Sequence, residues 1–178
     1  MKAGAGNAEI RFPEELFPLE GFRGVHDLPK ASVLIIEEAQ KIAIVSIEIV
    51  MLWDDFLEKC REAVAEITDT PKQNVWIHVT HAITTPHAPG GPRVGLGGQV
   101  IEGKEKEDAS LVLHKRSLYE QTIMQALQEA AKKAAQLTCA KMYVGSGECN
   151  LIEGRDIETP RGWWIGTKGF GESKETMK

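Results

Sequence analysis

The chain has 178 residues, of which 42% are hydrophobic and 26% are charged, a composition typical of a globular protein with a sizeable core. Its net charge of -5 and the lack of a Lys/Arg block argue against a general nucleic-acid binder. No apolar run reaches about 18 residues, the length expected of a membrane helix, so the sequence predicts no membrane span. The first seven residues lead into no apolar h-region, so we expect no signal peptide. Three widely spaced cysteines indicate free thiols in a reducing compartment, and we expect a cytoplasmic protein.

The first part of the chain predicts strands and one long loop. Residues 3–11 favour a first strand, and residues 12–30 hold three prolines and two glycines, which predicts an ordered loop. Loops of this length are uncommon unless they cover something functional. Residues 31–36 and 41–50 predict a hairpin whose second strand, being almost continuously apolar, is typical of a central buried strand.

Glu48 interrupts that apolar run, and two interpretations of it stay open. Burying an unpaired carboxylate is costly, which favours a side chain that faces solvent at the end of the strand. The alternative is a functional residue at the active-site end of the strand.

Helical periodicity appears in two segments, residues 53–67 and residues 110–137. Asp108 or Ser110 is the expected N-cap of the second helix. The alternating segment 75–80 follows the first helix. This order of strand, helix and strand predicts a parallel pair of strands within one sheet.

Residues 139–144 predict a further strand, whereas the last 30 residues show no clear period. Together these elements predict an α/β fold, a mixed β-sheet of about five strands with two main helices packed on it. We expect residues 1–178 to form a single domain.

Three of the five histidines lie between residues 74 and 92. His78 and His81 are three residues apart, so in a continuous strand their side chains point to opposite faces and cannot share a metal. His81 stands where the strand gives way to a loop, and functional groups of α/β folds collect at such carboxyl ends. His87 could approach His81 through the loop.

Four blocks of this sequence, in the same order, resemble the neutral/alkaline non-lysosomal ceramidase family, in the N-terminal portion of its zinc amidase domain. The block Asn74–Pro86, with Thr80-His81 at its centre, resembles a family strand that ends in Thr-His-Thr-His-Ser-Gly-Pro. The other three blocks are Gly21–Asp27, Lys41–Ser46 and Gly147–Asp156.

This resemblance implies a zinc-dependent hydrolase that acts on an amide-type C–N bond of a small-molecule or lipid-like substrate. By the motif match, His81 is a zinc ligand. Arg155 is expected to hold a polar or anionic part of the substrate. Trp163 and Trp164 are expected to wall an apolar pocket, with core packing as the alternative, and His87 is a candidate replacement for the second histidine of the motif.

The chain departs from the family pattern at three matched positions, Ile83, Ile152 and Gly154. These departures favour the alternative interpretation, a non-catalytic subunit or binding module whose site has decayed. In the family, the remaining zinc ligands come from polypeptide that follows this region. The resemblance therefore implies an N-terminal part or subunit of a larger hydrolase, in which residues 157–178 pack on a second polypeptide or on a copy of the chain.

Overall fold

The computed structural model describes residues 1–90, 108–149, 156–160 and 162–165. It divides the chain into two compact units, Met1–Lys141 and Met142–Lys178. The first unit contains a mixed five-stranded sheet and two α-helices, which confirms the predicted α/β fold.

The order of strands across the sheet is β4-β3-β2-β1-β5. β3 and β4 run parallel, as the order of strand, helix and strand predicted, and the other neighbours run antiparallel. The strands are β1 (Lys2–Glu9), β2 (Lys30–Glu37), β3 (Lys41–Ile47), β4 (Val75–Val79) and β5 (Thr138–Cys139), and the helices are α1 (Asp54–Thr68) and α2 (Ala109–Ala134). Short 3-10 helices form at Glu14–Leu16 and Lys72–Asn74.

The core lies on one face of the sheet. In β2, Val33 and Ile35 are buried against the helices, whereas Leu34, between them, is 39% exposed. Across the sheet, Leu34 is in register with Ile44 of β3, and Ile44 is in register with Trp76 of β4. Trp76 is 59% exposed. Because side chains alternate along a strand, this row belongs to the face opposite the core.

Both helices carry the features expected from their sequences. The buried positions Phe56, Cys60 and Val64 of α1 recur every four residues, and they form its inner stripe. The carboxylate of Asp108 accepts a hydrogen bond from the Ser110 backbone N–H at 2.8 Å, so Asp108 is the N-cap of α2.

The prediction of a strand over residues 139–144 was wrong, because β5 ends at Cys139. β5 pairs with Lys2 and Ala3 of β1, and the Ala140 N–H donates to the carbonyl of Met1, the residue before β1. Residues 140–148 form no regular structure, and the apolar side chains of Tyr143 and Val144 are exposed.

The second unit holds a hairpin that the sequence did not predict. Its strands are β6 (Asp156–Thr159) and β7 (Gly162–Ile165), which pair antiparallel. Gly162 has a φ of +105°, a conformation that favours glycine at a tight turn.

No helix among the described residues is long and apolar enough to cross a membrane. All three cysteines are free thiols, as their spacing predicted. Burial raises the pKa of the Cys60 thiol to about 12, so this cysteine is inert packing in α1.

α2 approaches β1 closely at two glycines. A Cβ atom at Gly6 would lie 2.6 Å from the Cβ of Lys133 and 2.9 Å from the backbone nitrogen of Ala134. A Cβ at Gly4 would meet the carbonyl oxygen of Ala134. Glycine at both positions is therefore what lets the helix backbone rest on the strand.

We predict that Gly6→Ala lowers the free energy of unfolding by about 1–3 kcal/mol, because the added methyl group forces β1 and α2 apart. Gly24→Ala is the matched control, since a Cβ there would meet nothing within 4 Å. Urea denaturation followed by circular dichroism measures both variants. Equal stability of Gly6→Ala and Gly24→Ala would contradict the close packing.

Candidate functional site

A cavity of about 650 Å³ lies where β3 and β4 end. Glu48 follows β3 and Thr80 follows β4, and both line the cavity. Because β3 and β4 are parallel, their carboxyl ends meet at one edge of the sheet, which is where α/β folds place ligands. The opposing wall comes from the long loop between β1 and β2.

Glu48 is held by backbone hydrogen bonds at the start of β2. Its Oε2 accepts from the N–H of Lys30 at 2.8 Å, and its own N–H donates to the Lys30 carbonyl at 2.9 Å. Glu48 is exposed, as the first interpretation expected, and it lines the cavity at the carboxyl end of β3. A functional role for it stays a prediction.

The loop between β1 and β2 is shaped by a tight turn. Leu19 and Phe22 exchange backbone hydrogen bonds of 3.1 and 2.9 Å, and the two residues between them, Glu20 and Gly21, have φ values of +51° and +87°. Two consecutive positive φ angles are the mark of a type I′ turn. The turn brings Phe22 to the cavity wall.

Two further contacts attach this loop to the rest of the unit. The Glu20 carboxylate accepts from the backbone N–H of His87 at 2.8 Å, and it lies 2.9 Å from Nδ1 of the same residue. The ring of Phe12 stacks on Tyr119 of α2 with centroids 5.0 Å apart, and the Tyr119 hydroxyl donates to the Pro86 carbonyl at 3.0 Å. The cavity is therefore bounded by segments that are tied to one another.

His81 lies directly after β4, beside the cavity. Its neighbours Thr80 and Ala82 line the cavity, whereas His81 is not among the described lining residues. Its side chain is exposed, and its Nδ1 lies 2.9 Å from the carbonyl oxygen of Val50. A carbonyl only accepts, so Nδ1 carries the proton and the neutral ring presents the lone pair of Nε2.

The backbone of His81 is also unusual, with a φ of +55°. Few residues other than glycine adopt this left-handed conformation, and such residues concentrate at functional sites.

The other predicted site residues are found in different surroundings. His87 is engaged by Glu20, and Ile83, at the position of the second motif histidine, is 76% exposed. In the second unit, Trp163 lies in β7 with 71% of its side chain exposed. Trp164 is also in β7, but its side chain lies outside the described part of the structure. Arg155 lies entirely outside the described residues.

Within the described ranges, no group of three or more His, Cys, Asp or Glu residues is placed to hold a metal ion. A catalytic zinc usually has three protein ligands. The described residues therefore orient the imidazole of His81 but form no complete metal centre around it.

His26, which was not among the predicted site residues, lines the cavity together with Asp27. His26 Nδ1 lies 3.0 Å from an Asp27 carboxylate oxygen, and both side chains are more than nine-tenths exposed, at 96% and 94%. The hydrogen bond that His26 donates to the Asp27 carboxylate, assisted by the negative charge of Asp27, raises the pKa of His26 above its ordinary value. The clue to His26 in the sequence is its position in the long loop between β1 and β2, because this loop was expected to cover a functional feature.

We predict that neutral His81 is protonated at Nδ1, because only that tautomer donates to the Val50 carbonyl. Long-range proton–nitrogen NMR in mildly alkaline buffer distinguishes the two ring nitrogens. His114, an exposed residue of α2, is the internal control and should show the tautomer preference of a solvated imidazole. Protonation of His81 mainly at Nε2 would disprove the Val50 contact.

We predict that Asp27→Asn lowers the pKa of His26, whereas Asp69→Asn leaves it unchanged. Asp27 raises the pKa of His26 in the folded protein. The pair therefore stabilises the fold fully at pH values below 6.5, the pKa of His26 in the unfolded chain. This stabilisation is lost as the pH rises through the folded-state pKa. An NMR pH titration of the His26 ring protons measures the shift, and identical titration curves for the two variants would contradict the pair.

Comparison with known proteins adds no family to these observations. No family model matches the chain, and no curated protein matches it. The function must therefore be argued from the residues and their geometry.

Proposed function

We propose that this chain contributes a metal ligand to a hydrolase that acts on an amide-type C–N bond of a small-molecule or lipid-like substrate. The observation that carries the proposal is the environment of His81. Metal-binding histidines nearly always donate their second ring N–H to a carbonyl or carboxylate, which fixes the ring and its tautomer. The Val50 carbonyl, 2.9 Å from Nδ1, provides this contact and leaves Nε2 for a cation.

A Zn²⁺ ion at such a site supplies Lewis acidity for the amide carbonyl and lowers the pKa of its bound water. In this proposal His81 holds the ion from the end of β4. The described residues form no group of three or more such ligands around it. We therefore assign the remaining ligands to polypeptide outside the described ranges, as in an N-terminal part or subunit of a larger enzyme.

The other residues singled out in the sequence keep their proposed roles. Arg155 holds a polar or anionic part of the substrate, since a guanidinium binds such groups through several N–H donors. Trp163 and Trp164 keep their proposed role as walls of an apolar pocket, and His87 keeps its proposed role as a residue of the substrate pocket. The contact of His87 with the Glu20 carboxylate supports an ordered position for this imidazole.

The proposal includes a partner for residues 157–178, either a second polypeptide or a copy of the chain. The exposed ring of Trp163 supports this part of the proposal, because large exposed aromatic side chains are common at interfaces. We place the protein in the cytoplasm, consistent with three free cysteines.

The second candidate function is a non-catalytic binding module on the same fold. One observation favours it. The described residues form a cavity next to His81, but no three or more of their His, Cys, Asp or Glu side chains are grouped to hold a metal ion. Concave, largely apolar cavities of this volume are typical of small-molecule sites.

A zinc titration of the histidine-labelled chain tests the leading proposal. We predict that millimolar Zn²⁺ shifts the Nε2 resonance of His81, because Nδ1 is occupied by Val50. His81→Ala should abolish the bound fraction, and His114→Ala, which removes an exposed histidine of α2, should not. A response confined to other histidines, or equal zinc binding by His81→Ala and His114→Ala, would contradict the proposal.

Hydrolysis is tested on the tagged chain purified from its own cells together with any bound partner. Amine release from N-acyl amides should be lost in His81→Ala and retained in His114→Ala. Zinc binding at His81 without amine release in any preparation would leave the hydrolase proposal refuted and the binding module favoured.

A further inference from the structure

We propose that the cavity at the carboxyl ends of β3 and β4 is a binding site for an organic ammonium ion, an amine group carried on an apolar body. This inference is independent of metal chemistry, because His81 is not among the described residues that line the cavity. It assigns a ligand class to the cavity from its walls and charges.

The apolar wall is rich in aromatic side chains from the loop between β1 and β2. Phe12 is nearly buried and is fixed by its stack on Tyr119, whereas Phe17 and Phe22 are partly exposed. Val25 and Leu28 extend the same wall. Such a wall takes up the apolar body of a ligand, and the faces of phenyl rings also attract cations.

The polar wall carries an excess of negative charge. The charged groups among the described lining residues are two carboxylates, Glu48 and Asp27, and one imidazole, His26. With His26 protonated, the sum of one positive and two negative charges is still negative. No Lys or Arg is among the described lining residues, so the one cationic group that an anionic ligand could meet among them is His26, which is already paired with Asp27.

Glu48 is the carboxylate best placed for a bound cation. It forms no ion pair with any described residue, and it is oriented by the backbone N–H of Lys30 on Oε2. Asp27, in contrast, is already paired with His26. The Glu48 carboxylate is therefore available to pair with a cationic ligand. Thr80, the residue beside it at the end of β4, adds a hydroxyl oxygen that can accept from an N–H donor.

Three probes of one shape test this assignment without any metal present. The probes are 4-phenylbutylamine, 4-phenylbutan-1-ol and 4-phenylbutanoate, which differ only in a terminal cation, neutral hydroxyl or anion. NMR titration of backbone amides should give the tightest binding for the amine, about three- to tenfold tighter than the alcohol, a ratio expected of a partly exposed ion pair. The carboxylate probe should bind most weakly.

Substitutions then locate the selectivity. Glu48→Gln keeps an acceptor oxygen for Lys30 and should remove most of the preference for the amine over the alcohol. Glu66→Gln, the same change of charge on the exposed face of α1, is the matched control and should leave that preference intact. Asp27→Asn is the second variant if Glu48→Gln proves unstable, and it should reduce the preference in the same direction.

Each remaining outcome overturns the inference. Equal affinity for amine and alcohol would mean an apolar cavity without charge recognition, and tighter binding of the carboxylate would reverse the assigned charge. Absence of shifts at cavity residues for all three probes would mean that the cavity is only a solvent-filled groove. Because His81→Ala should bind the amine normally, failure here is distinguishable from failure of zinc binding at His81.

Discussion

The parallel pairing of β3 and β4 is the constraint on which the candidate site depends. Parallel strands need a crossover connection, and α1 supplies it on the core face of the sheet. The consequence is that Glu48 and Thr80, 32 positions apart in the sequence, emerge side by side at one edge. An antiparallel pair would place the ends of these two strands at opposite edges, and no shared cavity would form.

The second requirement is a wall opposite that edge, and the loop between β1 and β2 provides it. A loop of this length loses much conformational entropy when it is ordered. Here the cost is offset by buried aromatic contact at Phe12, by the turn at Glu20 and Gly21, and by the contact of Glu20 with His87. The wall is consequently tied both to α2 and to the segment after β4.

Two neighbouring surfaces with different chemistry result from this arrangement. On one side, His81 is turned by a left-handed backbone so that its Nδ1 meets the Val50 carbonyl and its Nε2 is available. On the other side, the cavity combines phenyl rings with the carboxylates of Glu48 and Asp27. In our proposals His81 binds a metal ion through Nε2, and the cavity binds a larger organic cation.

The sequence by itself determined the elements of the first unit and their order, because hydrophobic periodicity over long segments is set by which face is buried. It indicated the parallel pair of strands and gave Asp108 as one of two candidate caps of α2, whereas the functional role expected of His81 stays a prediction. Only the tertiary structure decided that residues 140–148 form no strand, since a strand requires a partner and none of the described strands pairs with these residues. It also brought His26 to the cavity beside Glu48, because contacts between a loop and a strand end are long-range and leave no period in the sequence.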